Sequence, residues 1–241
     1  MQPERRIWFR TICIKNGLVP TDVQVEQMNR FVDLLLEWNS KINLVSRKDV
    51  EKILSYHILH CISPLFKIEI LQNSTIIDLG TGGGLPGLPI KILRPDLTMF
   101  CLDSTGKKIN AVSRMIADLK LDRIEAVWGR AEEVGHRDAL CEKFDFVLVR
   151  AVAPMIDLVS WSRIFLKKAG QKESPITKEL QGRIALKPPA LLAFKGGDLA
   201  QEIGIAKRKN PQINIEQIDL AFDGSEQFMA SDKKLVVVHL S

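Results

Sequence analysis

The stretch DLGTGGGLPG at 78–87 holds five glycines in ten residues and follows the apolar run Thr75-Ile76-Ile77. A glycine-rich turn between a strand and a helix brings backbone N–H groups close to a ligand. Three ligand classes exploit it. A triphosphate loop needs Lys and then Ser or Thr after its last glycine, whereas Gly87 precedes Leu88-Pro89, which argues against that class. Gly82, Gly84 and Gly87 satisfy G-x-G-x-x-G, with Asp103 about 20 residues on, as a dinucleotide site would have. Asp78 separates this class from the third. A carboxylate at the end of the first strand would repel a pyrophosphate. S-adenosylmethionine carries no phosphate: its ammonium suits an acid, directly or through water, and its carboxylate suits the loop amides. Asp103 would accept from ribose hydroxyls in either case.

Other residues could complete such a site. Gly129-Arg130-Ala131-Glu132-Glu133 follows the third strand, where an adenine would lie, so Ala131 and Glu132 could contact its edge. The same residues read equally well as a helix start with an acidic first turn. Arg150 ends the apolar run FDFVLV, and a buried guanidinium needs a ligand or a carboxylate partner. Lys195, before Gly196-Gly197, stands where a strand end opens onto the cleft of a doubly wound sheet.

The elements that must position these residues are legible from periodicity. Residues 21–38 repeat apolar side chains at helical spacing, with Thr21 or Asp22 as cap, and a second helical pattern runs from Asp49 to Cys61. Strands are expected at 75–80, 98–103, 125–129, 144–152 and 190–197, and helices after Gly87 and over 107–121 and 155–166. Strands at 215–222 and 233–240 show no clear helix between them and suggest an edge hairpin. Residues 167–189, Lys-rich with three prolines, read as a long loop with a short helix at 176–181. Alternating strands and helices imply parallel pairing. The fold class is therefore α/β: a doubly wound, mostly parallel, Rossmann-like sheet over 71–241 with a helical N-terminal region over 1–70.

Composition narrows the partners. The 241-residue chain carries a net charge of +5, compatible with a polyanion. Cys13, Cys61, Cys101 and Cys141 form no C-x-x-C pair, so neither a metal site nor a disulfide framework is expected. The longest apolar runs are far below the ~20 residues of a membrane span, and no secretory signal opens the chain. A cytoplasmic monomer is the expectation. Candidate phosphate contacts are Lys41, Arg47, Lys48, the Lys167–Lys187 loop and Lys207-Arg208-Lys209.

The chain resembles the ribosomal RNA small subunit methyltransferase G family, also called glucose-inhibited division protein B. The matching pieces are W-N-x-K-I-N-L at 38–44, H-I-L at 57–59, D-L-G-T-G-G-G-L-P-G-L-P at 78–89 and R-P-D at 94–96. L-D-S at 102–104, K-K at 107–108, L-K-L at 119–121, G-R-A-E-E at 129–133, V-R-A at 149–151 and F-K-G at 194–196 follow in the family's order. The resemblance implies S-adenosylmethionine as cofactor and methylation of N7 of one guanine in 16S rRNA or the small ribosomal subunit. It implies Gly80, Leu85, Ala131, Glu132 and Arg150 as cofactor contacts. Asn43, His57, Arg150 and Lys195 would surround the guanine. On local grounds alone His57 reads as a core histidine and Asn43 as a turn residue. The chain departs from the family pattern at His60, where an acid is usual, and in the length of 167–189. The rivals are an NAD-dependent oxidoreductase, from the glycine spacing, and a non-catalytic RNA-binding assembly factor, from those departures.

Overall fold

The computed structural model describes residues 3–46, 53–150, 153–168, 179–180, 182–225 and 232–240. Arg47 and Lys48, and most of 167–181, lie outside the described residues.

Two helices open the chain, α1 (Pro3–Lys15) and α2 (Asp22–Lys41). Thr21 is the cap of α2: its hydroxyl accepts from Gln24 N at 3.2 Å and the Gln24 side chain accepts from Thr21 N at 2.9 Å. That reciprocal pair satisfies two otherwise orphan amides. Val25, Met28, Phe31, Val32 and Leu35 recur at helical spacing and are buried on one face. A π-helical segment (Ile53–Ile58) leads into α3 (Leu59–Ile62), α4 (Pro64–Lys67) and the two-residue strand β1 (Ile68–Glu69).

The central sheet then alternates with helices. Its first part runs β2 (Thr75–Leu79), α5 (Gly87–Leu93), β3 (Thr98–Asp103), α6 (Gly106–Asp118), β4 (Ile124–Trp128) and α7 (Ala131–Val134). Then come β5 (Phe146–Arg150), α8 (Met155–Phe165), β6 (Glu179–Leu180), β7 (Arg183–Ala185), β8 (Ala190–Gly196), α9 (Ala200–Lys209), β9 (Asn214–Asp219) and β10 (Lys233–His239). The seven-stranded order is β4-β3-β2-β5-β8-β10-β9. Strands β2, β3, β4, β5 and β8 pair in parallel, while β10 is antiparallel to both β8 and β9. The last two strands do pair as expected, but β10 inserts inside and leaves β9 at the edge. Glu179–Leu180 pairs antiparallel with β7, beside β1, so this part of the expected 176–181 helix is a strand. Helix α9 was not expected, because Gly204 and a terminal basic run blur its apolar spacing.

Alternation along β5 divides two cores. Phe146 and Leu148 pack with α1, α2, α5 and α6; Val147 and Val149 pack with α7, α8 and α9. The first core takes Phe9, Phe31, Leu35 and Ile58 together with Ile76, Met99, Leu192 and Val237. Residue 70 thus marks a change of element type, and the apolar core crosses it unbroken. Gly83 shows how close the approach is: a Cβ there would lie 2.9 Å from Leu35 Cδ1 and 3.1 Å from Leu44 Cβ. The middle glycine of the triplet is where the N-terminal helices seat on the loop.

Candidate active site

The strand order reverses at β2, whose neighbours are β3 and β5, so a crevice opens beyond its carboxyl end. Asp78 stands there and is fully buried. Its Oδ2 accepts from Thr81 Oγ1 at 2.7 Å and from Gly87 N at 2.9 Å. Its Oδ1 has no hydrogen-bond partner among the described residues. Burial outweighs those two hydrogen bonds and pushes the carboxyl up to about 6. Gly87 must be glycine, since a Cβ would sit 2.8 Å from Asp78 Oδ2 and 3.0 Å from Cys101 Sγ. Asp78 was expected to meet the ammonium directly or through water; its Oδ2 is committed to the loop, while Oδ1 keeps its acceptor capacity. The carboxylate is turned inward, where it ties the two ends of the loop together.

The cavity beside the loop measures about 390 Å³, within the usual range for small-molecule sites. Gly80, Asp103, Ala131 and Glu132 line it, as expected, together with Lys108, Arg130 and Trp161. Asp103 clamps the rim: Oδ2 accepts from Gly82 N at 3.0 Å and Oδ1 from Thr105 N at 2.8 Å. Each oxygen keeps a further lone pair for a hydroxyl. Gly82, Gly84, Leu85 and Arg150 are not among its lining residues, and Leu85 is buried in the core instead. Trp161 carried no sequence signal, because it reaches the cavity from the half-buried face of α8.

A second cluster forms at the end of β5. Arg150 falls on the alternation that faces the N-terminal helices, and there it meets His57 and Cys61. Its Nη2 lies 2.7 Å from His57 Nδ1 and its Nη1 donates to Cys61 Sγ at 3.1 Å. A guanidinium accepts nothing, so His57 Nδ1 is the acceptor and the ring proton sits on Nε2. The π-helical segment supplies His57, a type of turn often found at functional sites. Burial holds the Cys61 thiol up at about 11, so it remains protonated. His60 packs edge-on against Phe194 at 5.4 Å, and its Nε2 has no hydrogen-bond partner among the described residues. Burial, with the nearby charge of Arg150, drives its pKa down to about 3, so the ring is neutral. This position contributes no charge here.

Lys195 does not join that cluster. Alternation along β8 turns it to the opposite face, where Nζ donates to Ala153 O at 2.8 Å and to Glu202 Oε1 at 2.6 Å. Asn43 is exposed next to Leu44, hence beside the glycine loop. The turn itself is held by Asn39, whose Oδ1 accepts from Leu44 N at 2.8 Å and Val45 N at 2.9 Å. Asn43 is thus not the residue that shapes it. Neither Asn39 nor Glu202 was identified from sequence, since each acts by accepting from backbone amides, five and six residues on for Asn39 and 47 residues back for Glu202, which no side-chain pattern announces.

The sequence model of one family, described as "GidB: rRNA small subunit methyltransferase G", matches residues 24–173. The chain belongs to that family. Relatives bearing the name "Ribosomal RNA small subunit methyltransferase G" span nearly all of it. One from Bacteroides fragilis is 34% identical over 218 residues, covering 90% of this chain and 94% of the relative. One from Parabacteroides distasonis is 36% identical over 220 residues, covering 91% and 85%. Among solved structures, a SAM-dependent methyltransferase from Aquifex aeolicus superposes with a TM-score of 0.52 at 11% identity, covering 81% of this chain and 100% of that one. The M. jannaschii TYW2 complex with AdoMet gives 0.50 at 12%, covering 83% and 77%. At such identities these two establish the fold, the Rossmann-like sheet of methyltransferases. The family assignment makes the chain a methyltransferase. Among the described residues no helix is long and apolar enough to cross a membrane, and no group of three His, Cys, Asp or Glu could hold a metal ion.

Proposed function

We propose that this chain methylates N7 of a guanine in small-subunit ribosomal RNA, using S-adenosylmethionine. The observation that carries the reading is the convergence of Gly80, Asp103, Ala131 and Glu132 on one cavity at the carboxyl ends of β2, β3 and β4. Asp103 has lone pairs for ribose hydroxyls, and Ala131 and Glu132 stand where an adenine edge would be read. When bound, the cofactor supplies an electrophilic methyl group.

N7 of guanine attacks with an in-plane lone pair and loses no proton, so the chain needs no general base. His57 fits that requirement: its Nδ1 is committed to Arg150. The residues' task is alignment at about 3 Å, for which positioning can supply roughly 7–11 kcal/mol of the barrier. Asn43, His57, Arg150 and Lys195 are the proposed anchors of the guanine. Arg150 is fixed by His57 and Cys61 within electrostatic reach of the Asp78 carboxyl, and its remaining N–H groups suit a ligand anion or guanine O6.

The basic residues divide. Lys41 pairs with Glu37, Lys167 with Asp145 and Lys168 with Glu142. Lys207, Arg208 and Lys209 form the last turn of α9. That turn is directed away from the cleft and suits the helix dipole better than an RNA. Lys108 and Arg130, at the rim of the cavity, are better placed to meet phosphates. An rRNA substrate would place the protein in the cytoplasm.

The test is to map N7-methylguanine in rRNA from cells with and without the protein, and to repeat the reaction with naked rRNA and with small subunits. A single N7-methylated guanine lost with the protein supports the reading. An unchanged methylation map, or calorimetric binding of NADH with none of S-adenosylhomocysteine, overturns it.

A further inference from the structure

Glu202 lies in the first turn of α9, outside every motif that links this chain to its family. Its Oε1 accepts from Lys195 Nζ at 2.6 Å and from Met155 N at 2.5 Å. Lys195 Nζ donates in turn to Ala153 O at 2.8 Å. The carbonyl of residue 153 and the amide of residue 155 belong to the same turn, the one that follows Arg150 and opens α8. One ion pair therefore grips that turn from both sides, by its acceptor and by its donor. The pair is mostly buried, with side-chain exposures of 16% and 28%. A lone N–H cap would stabilise α8 equally well with Gln at this position. The charge of Glu202 answers a different need, that of the ammonium beside it.

We propose that Glu202 is a positioning residue of the methyl-transfer site, acting through Lys195. It fixes the Ala153–Met155 turn and leaves one N–H of the ammonium for the ligand, since Lys has three donors and two are used. It also cancels the ammonium's charge. In the transfer the N7 lone pair forms the new C–N bond, the C–S pair returns to sulfur, and the positive charge moves onto the guanine. An uncompensated cation nearby would oppose that movement; a neutral Lys–Glu pair does not. This inference rests on the functional reading above.

The test is a double-mutant cycle with Glu202→Gln and Lys195→Met, measured with small-subunit substrate, alongside Tm and S-adenosylhomocysteine affinity. Gln keeps the shape and the acceptor for Met155 N while removing the charge. The expected outcome is a kcat for Glu202→Gln lower by about tenfold to a hundredfold, as for groups that orient first-contact ligands. Measured well below the melting points, KM for S-adenosylmethionine should stay near the wild-type value; Tm should fall for Glu202→Gln, which leaves the ammonium uncompensated, and recover in the double variant, which should be no slower than Lys195→Met alone. A kcat within twofold of wild type, or losses that multiply in the double variant, would overturn the inference. A kcat that merely follows a fallen Tm would also overturn it, by reducing Glu202 to a helix cap. Absence of methyl transfer by the wild-type chain overturns the functional reading, and this inference with it, so the two failures are distinguishable.

Discussion

Arg150 forms no ion pair with a carboxylate among the described residues; a thiol and an imidazole hold it instead. The sequence announced that this cation needed a partner, because it interrupts an apolar strand. It could not announce which, since His57 and Cys61 lie about ninety residues earlier, on the π-helical segment and α3. Arg150→Lys keeps the charge but not the fork that spans both partners. Methyl transfer should fall by about 10²–10³-fold, the scale of losing one preorganised donor, with Tm little changed. A rate equal to wild type would refute the anchoring role. Asp78 was legible as important, whereas its hold on Thr81 and Gly87 was not, because sequence gives the order of residues but not which way a strand-end side chain turns. Its raised pKa has a stability consequence with a definite sign. The folded group binds its proton more tightly than the unfolded one, so its contribution is fully present below about pH 4. It is lost as pH rises through about 6. The loss is of order 3 kcal/mol for a shift of about two units. Denaturant unfolding of Asp78→Asn should lack this component, so the variant should gain on wild type between pH 4 and pH 7. Parallel curves for the two proteins would contradict it.

Glycines and short apolar runs made β2, β3 and β5 readable, because a strand covered on both faces has little room for polar residues; β4, at the sheet edge with Glu125 and Trp128 exposed, is not such a strand. The elements that escaped were those whose pattern is diluted. Helix α9 contains a glycine, β6 and β7 are two and three residues long, and the insertion of β10 depends on pairing that no local pattern encodes. Gly83 illustrates the same limit. Its position in the triplet suggested ligand approach, yet its neighbours are Leu35 and Leu44. Gly83→Ala should overpack that contact at a cost of about 1–3 kcal/mol. In a chain of this size that lowers Tm by roughly 2–4 °C per kcal/mol. It should also weaken S-adenosylhomocysteine binding, because the displaced backbone belongs to the cofactor loop. Calorimetry and a thermal melt on one preparation check both, and an unchanged affinity would show that the loop absorbs the extra methyl.

The whole molecule carries a net charge of +5. Affinity for rRNA should therefore fall linearly in log–log terms with added salt, by about 0.7–0.9 of a unit per phosphate contact. Binding of S-adenosylhomocysteine, by contrast, should hardly change over the same range. An rRNA affinity as flat as that of the small ligand would mean that phosphates play no part. At this scale the shared core has the widest reach. Because α2 and Leu44 rest directly on Gly83, whatever grips the front of the enzyme also presses on the bend proposed to hold the nucleoside. Among the described residues, the N-terminal helices are not a detachable piece to be traded between relatives like a tool head, because they share one apolar core with the sheet. A new target would have to be learned by altering the front helices in place, with every change felt at once by the methyl donor's berth.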